Sequence, residues 1–277
     1  MKHGLSIDVE DYYQILYQDY FQIKTAPSLE VEQNTNRLHD MLSKYKVKAT
    51  FFVLGNVAHQ YPSLIKRIVL EGHEIGAHGY EHKYIFKMKP DEFREEIKRA
   101  KGEIEDLSGA QVIGHRAPAF SITKGVFWAV DILLELGFLY DSSIYPIQGK
   151  RYGIGDAIKT IYRWPNGLHE IPLSCLEILG KTIPVAGGGY IRHFPCWCTQ
   201  FALSRLEKLK RPATVYMHPY EFEDSYPEID SPGKPIPLKL RIHTFLQAHN
   251  RGKKQWGKLT KLLSDFQFEP LKNLLKS

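Results

Sequence analysis

Gly72-His73-Glu74-Ile75-Gly76-Ala77-His78-Gly79-Tyr80-Glu81-His82 places two imidazoles, His78 and His82, four residues apart at the end of an apolar, strand-like run. If the chain after Ile75 turns helical, positions i and i+4 share one face with Cβ atoms roughly 5–6 Å apart, within reach of one divalent cation. Alone the pair is weak, because twelve histidines make chance spacings common. A second feature supports it: Asp8-Val9-Glu10-Asp11 follows the apolar opening Gly4-Leu5-Ser6-Ile7, and in α/β proteins functional residues gather where strands end at their carboxyl side. Two histidines and one carboxylate make a three-ligand site with open positions, the pattern of catalytic metal centres.

The 277 residues accommodate one α/β barrel of ordinary size, and 43% hydrophobic with 12% aromatic content is ample for a packed core. No window approaches the roughly 18–20 apolar residues of a membrane span. The opening Met1-Lys2-His3-Gly4-Leu5-Ser6-Ile7-Asp8 reaches an aspartate too soon for a signal peptide. The expectation is a cytoplasmic protein. Three cysteines, Cys175, Cys196 and Cys198, argue against a disulfide framework, and Cys196-Trp197-Cys198 is too tight for zinc-knuckle spacing. Net charge is +6 and the densest basic run is Arg251-Gly252-Lys253-Lys254-Gln255-Trp256-Gly257-Lys258. A solvated helix end explains that run better than a binding patch does. No nucleic-acid partner is expected, and peripheral membrane contact through this basic stretch is its functional reading.

In chain order, a first buried strand from His3 to Asp8 precedes a tyrosine-rich stretch, Tyr12 to Tyr20, that reads as a long loop. Val31, Thr35, Leu38, Leu42 and Tyr45 then keep a 4-3-4-3 helical rhythm. Lys48–Leu54 is a second strand, Pro62–Leu70 a second helix with proline in its first turn, and Glu74–Ala77 a third strand that delivers His78. A helix from about Pro90 to Leu107 ends at Gly109, and Gln111–Pro118 reads as a strand ending on Arg116. Ser121 or Thr123 is placed to cap a helix running to Leu136, before a fifth strand at Phe138–Ser143. Beyond a looser region with strand-like Glu170–Leu173 and the glycine run Ala186–Tyr190, a helix near Cys196–Leu209 leads to the strand Ala213–Met217, which delivers His218. A polar loop, Glu221 to Pro237, precedes the last amphipathic helices. Strand and helix alternating at this pitch argue for parallel β/α units in one domain over 1–277, with a core at about 3–220 and a helical extension at about 238–277.

The strand ends thus carry, in order, an acidic cluster, His-x-x-x-His, Arg116-Ala117-Pro118, Asp141 and His218. That order resembles the polysaccharide deacetylase family, the NodB-homology carbohydrate esterases, over about residues 3–220. Asp-Val-Glu-Asp, Ala-Gly-Gly-Gly-Tyr-Ile-Arg and the tail from Arg241 resemble more narrowly the exosortase-associated branch linked to exopolysaccharide loci. The resemblance implies a distorted (β/α) barrel of about seven parallel strands. It also implies one divalent metal ion, with zinc expected and cobalt or nickel as alternatives, and an N-acetylated saccharide substrate. The family opens on two adjacent aspartates, a general base and a metal ligand. Asp8 matches the base, but Val9 stands where the ligand is expected. Glu10 points the same way as Asp8 by strand alternation, whereas a turn starting at Val9 favours the shorter Asp11, which is the preferred third ligand.

The implied chemistry is hydrolysis of an N-acetyl amide, a poor electrophile attacked by a poor nucleophile. Asp8 is expected to take the proton from water, Arg116 to orient Asp8 by a charge-assisted pair, and His218 to protonate the departing nitrogen, with Asp141 holding His218. Tyr190, Arg192 and Tyr216 are candidate sugar contacts. Two rivals stand beside this reading: a hydrolase of a small non-sugar amide, as in allantoinase-like relatives, and a catalytically silent glycan-binding protein.

Overall fold

Leu5 to Val9 and Thr50 to Val53 are buried along their whole length on both faces, as strands must be when helices cover one side and packed side chains the other. The computed structural model describes residues 1–149, 152–225 and 235–276. Its strands are β1 (Lys2–Val9), β2 (Thr50–Val53), β3 (Glu74–Ala77), β4 (Gly114–His115), β5 (Tyr140–Asp141), β6 (Tyr162–Arg163), β7 (His169–Glu170), β8 (Cys175–Ile178), β9 (Lys181–Pro184), β10 (Thr214–Met217) and β11 (Gln267–Glu269). Its helices are α1 (Tyr12–Phe21), α2 (Leu29–Lys44), α3 (Gly55–Gln60), α4 (Pro62–Leu70), α5 (Pro90–Ser108), α6 (Trp128–Glu135), α7 (Gly188–His193), α8 (Cys196–Lys208), α9 (Leu238–Ala248) and α10 (Lys253–Asp265).

Seven strands lie side by side in the order β10-β1-β2-β3-β4-β5-β7, each parallel to its neighbour. The sheet curls into an open half-barrel, the architecture implied by the sequence. Antiparallel β6 extends its edge, and β8 and β9 form a separate hairpin. The amphipathic helices α2, α4 and α5 bury Leu38, Leu42, Ile65, Ile68, Phe93 and Ile97 against the sheet.

Several local expectations change. The tyrosine-rich stretch is the helix α1, started by Asp11, whose carboxylate accepts from the Gln14 N–H at 2.8 Å. The extended stretch at 111–118 shrinks to the two residues of β4. Neither Ser121 nor Thr123 caps a long helix. Ser121 Oγ instead accepts from the Ile85 N–H, Thr123 precedes a single 3₁₀ turn, and α6 begins only at Trp128. The extension from 238 is not purely helical, because β11 joins the main sheet parallel to the start of β1. Of the polar loop 221–237, residues 226–234 lie outside the described residues.

Close strand packing sets one glycine. A methyl group on Gly76 would lie 2.6 Å from Phe52 Cδ1 and 2.9 Å from the Gly114 carbonyl oxygen, so β3 and β4 approach only because the side chain is absent. Gly76→Ala is expected to destabilise the fold by about 1–3 kcal/mol through overpacking, measured by chemical denaturation. An unchanged midpoint would show that β3 can shift without penalty.

Candidate metal-binding active site

Parallel register aligns the carboxyl ends of β1, β3, β4 and β10, so the residues that follow these strands meet at one end of the half-barrel. β1 delivers Asp8 and Glu10, β3 delivers His78, β4 delivers Arg116 and β10 delivers His218. His82 arrives differently from the helical expectation. No helix follows His78; a turn with Gly79 at φ +79° and His82 at φ +55° folds the second ring back toward the first.

Glu10, His78 and His82 are all buried, and one ligand atom from each lies within 4.8 Å of the others. Glu10 Oε2 is 3.1 Å from His78 Nε2 and 2.9 Å from His82 Nε2. The donor set can be tested for fit to a cation. His78 Nδ1 lies 2.8 Å from the Arg116 carbonyl oxygen, which only accepts, so Nδ1 carries a proton and Nε2 is the nitrogen turned toward the carboxylate. A divalent cation between the two would take the place of a proton on Nε2, with the ring lone pair and the carboxylate oxygen both facing it. Metal–ligand distances of about 2.0–2.2 Å set neighbouring ligands roughly 3 Å or slightly more apart, as seen here. The backbone carbonyl holding Nδ1–H is also the usual device for orienting a ligating imidazole.

A second cluster, His39, Glu71 and His73, also brings its ligand atoms within 4.8 Å but fails the same test. His73 Nδ1 accepts from the Ala49 N–H at 3.1 Å, so its neutral ring carries the proton on Nε2, facing Glu71 Oε2 at 3.9 Å. A metal ligand there would need a lone pair. Burial pushes His39 down to about 4 and His73 down to about 3, which leaves two neutral imidazoles beside a Glu71 carboxylate paired with Arg67, at the amino-terminal end of β3.

The geometry therefore corrects the preference for Asp11. Its Oδ1 accepts the α1 cap bond, and its Oδ2 accepts from the Ser28 N–H at 2.7 Å and from the Ser28 hydroxyl. Glu10, on the same side of the extended chain as Asp8, reaches the histidines. Burial raises the Glu10 carboxyl, but His82, His218 and His78 outweigh it and hold the group well below the usual carboxylate range.

Arg116 Nη1 donates to Asp8 Oδ1 at 2.7 Å. His218 Nε2 lies 3.5 Å from Glu10 Oε1, and its Nδ1 lies 3.5 Å from Glu221 Oε1. Burial opposes charge on His218, yet Glu10, Glu221 and Asp8 together push it up to about 9. Glu221 persists as a counter-charge when Glu10 is engaged by a cation. Asp141 does not hold His218: it accepts from Ser143 Oγ and lies 2.7 Å from His115 Nδ1, inside the sheet. The residue in that role is Glu221, whose sequence signal was its place three residues after His218, across Pro219 and Tyr220.

The cavity beside these groups, about 210 Å³, is lined by Asp8, Glu10, His78, His82, His218 and Tyr220 among others. It adjoins a second, about 480 Å³, lined by Tyr152, Tyr190, Phe194, Tyr216 and Leu246. Tyr190 stands half-buried on this wall. Tyr216 packs edge-on against Phe120, and a Cβ on Gly187 would collide with its ring, which explains the glycine run. Arg192 lines the wall, but its guanidinium is committed to Glu221 at 3.1 Å and Gln247 at 2.6 Å. Its geometry is that of a group positioning Glu221.

Residues 21–138 match the model of the polysaccharide deacetylase family, and residues 142–276 match a domain of unknown function, DUF3473. Within 21–138, somewhat under half of the chain, the sequence is similar to polysaccharide deacetylase domains. A peptidoglycan-N-acetylglucosamine deacetylase of Bacillus cereus is 41% identical over 84 residues, 30% of this chain and 30% of that protein. A bifunctional xylanase/deacetylase of Pseudobutyrivibrio xylanivorans is 32% identical over 108 residues, 39% of this chain and 18% of its own length. The chain thus spans less than a third of either relative. Among solved structures, a presumed polysaccharide deacetylase from Mycobacterium smegmatis shares the fold at a TM-score of 0.66 with 20% identity, over 99% of this chain and 88% of that one. A CE4 family pseudoenzyme from Bacillus anthracis does so at 0.51 with 16% identity, over 99% and 65%.

Glu10→Gln, His78→Ala and His82→Ala are each expected to lose bound metal, whereas Asp11→Asn should keep it and lose about 1–2 kcal/mol of stability with the helix cap. Elemental analysis and thermal denaturation of the four variants decide this. Metal retained by Glu10→Gln and lost by Asp11→Asn would reverse the ligand assignment.

Proposed function

We propose that the chain is a divalent-metal-dependent hydrolase that removes acetyl groups from the nitrogen of an N-acetylated sugar in a polysaccharide or its precursor. The observation that carries this reading is the convergence of His78 Nε2 and His82 Nε2 on the Glu10 carboxylate, beside an aspartate gripped by a buried arginine. When bound, a divalent cation, zinc in the first instance, would supply Lewis-acid polarisation and ease ionisation of water. Glu10, His78 and His82 would hold it. The overall change is amide plus water to acetate plus free amine.

The protein's own groups divide the proton work. Asp8 lines the cavity with one oxygen fixed by Arg116, so its carboxylate is preset to accept a proton from a water molecule in the cavity. His218 lines the same cavity and faces two carboxylates that favour its protonated form, which suits delivery of a proton to the departing nitrogen. Glu221 and Arg192 keep that imidazole oriented from behind. The absence of a second aspartate at Val9 does not empty the ligand set, because Glu10 reaches the same point with its longer side chain. Tyr152 and Tyr190, neither fully buried, line the adjoining wall, and aromatic rings of this kind pack well against the C–H faces of a pyranose. The named activities of the relatives support the same substrate class.

Asp8→Asn should keep the metal and lower turnover by a factor on the order of 10² to 10⁴, the usual contribution of a positioned general base. The assay is acetate release from N-acetylglucosamine oligomers by the metal-loaded protein. Near-normal turnover would remove Asp8 from the mechanism, and loss of metal would make it a ligand. His218→Ala should reduce turnover by a comparable factor with metal content intact, and an unchanged rate would assign nitrogen protonation elsewhere.

A further inference from the structure

Helix α9 is docked by one face and bare on the other. Leu240 and Thr244 are buried, with Leu240 packed on Tyr12 and Leu16 of α1. On the opposite side Leu238 is 71% exposed, Ile242 52%, Phe245 62% and Leu246 52%. At 3.6 residues per turn these four form a stripe about 100° wide, with Lys239 and Arg241 at its two margins. No acidic residue occurs in α9. The stripe continues toward exposed Phe194, and Leu246 and Phe194 both line the cavity that holds His218. The bare apolar surface therefore borders the mouth of the candidate active site.

Charge is distributed to match. Between 235 and 276 the chain carries nine Lys and Arg against two Asp and Glu, which accounts for the whole positive excess of the protein. The basic run first noticed at 251–258 is partly spent inside: Arg251 Nε donates to the Tyr220 carbonyl, and Lys258 Nζ donates to the carbonyls of Ile191, Arg192 and Phe194. Lys253 and Lys254 of that run stay exposed, and on α9 itself Lys239 and Arg241 face solvent at the margins of the apolar stripe.

We infer that the α9 face is a docking surface for an anionic lipid membrane, on which the helix lies in the interfacial plane with Leu238, Ile242 and Phe245 in the acyl boundary and Lys239 and Arg241 among the headgroups. A protein partner would need acidic groups facing two marginal cations as well as an apolar groove. A lipid surface meets both needs at once, and the flat anchoring of α9 through Leu240 and Thr244 orients the stripe outward. Docking in this way sets the cavity mouth at the membrane, so the saccharide it receives is one held at that surface. This last step rests on the deacetylase reading; the docking does not.

The test is co-sedimentation of the full chain with phosphatidylcholine vesicles, with and without phosphatidylglycerol as about a third of the lipid. The parent should bind the anionic vesicles on the order of tenfold or more tightly than the neutral ones, with binding weakened by added salt. Ile242→Ser with Phe245→Ser should weaken anionic-vesicle binding on the order of tenfold, while acetate release from a soluble N-acetylated oligomer stays at the parent rate. Lys239→Glu with Arg241→Glu should abolish the preference for anionic lipid. Failure of the parent to sediment with anionic vesicles, or parent-like binding by the Ile242/Phe245 variant, overturns the inference. So does a parent dimer that the same variant converts to monomer without any vesicle binding, since a second copy would then cover the face. Vesicle binding without acetate release would instead count against the deacetylase reading alone.

Discussion

A fully buried arginine is the constraint on which the site depends. Arg116 Nε donates to the Ser142 carbonyl, Nη2 to Ser142 Oγ, and Nη1 to both Ser6 Oγ and Asp8 Oδ1. Its guanidinium carbon sits 4.4 Å from the centre of the Phe52 ring, and its own carbonyl receives His78 Nδ1–H. Burying that charge is tolerable only with every partner in place, and removing one of them leaves the charge uncompensated. Arg116 thus ties β1, β3 and the chain after β5 into one arrangement. The orientation of the candidate base and the tautomer of a candidate ligand come from the same residue.

The two family matches divide the chain near 140, but the site does not divide there. His78, His82 and Arg116 fall within 21–138, Asp8 and Glu10 precede it, and His218 and Glu221 come from 142–276. β1 is the reason: it pairs with β2 on one side, β10 on the other, and β11 at its start. The portion matching a domain of unknown function supplies a sheet strand, the imidazole on the cavity wall and the carboxylate behind it.

Much of this was legible in the sequence where a single physical demand fixed the residues. Glu74–Ala77 is short, buried and bounded by a glycine, so its limits and its delivery of His78 could be read directly. The 4-3-4-3 rhythm of α2 and α5 left no other period. The failures share a cause, since each turned on a contact between distant segments. Tyr12–Phe21 looks irregular because its tyrosines face α9 and the site rather than one apolar core. Asp11 was preferred for its short reach, but Ser28, seventeen residues on, claims its carboxylate. Asp141 reads as the partner of His218 from its place at a strand end, but in the sheet it faces His115, and Glu221 stands behind the imidazole instead.

The pairing of β1 also bears on how the chain reaches its native state. Gly4 lies opposite Thr214 in β10, and Lys2 opposite Gln267 in β11. β1 has β2, some forty residues on, available early for one edge, but its other edge must wait for β10 and β11, more than two hundred residues further along the chain. Such distant pairings close slowly, because the entropy of a long loop is lost before the contacts form. Completion of the candidate site is therefore a late event in biosynthesis, and an amino-terminal fragment that holds both histidines would still be an incomplete sheet with an open, aggregation-prone edge.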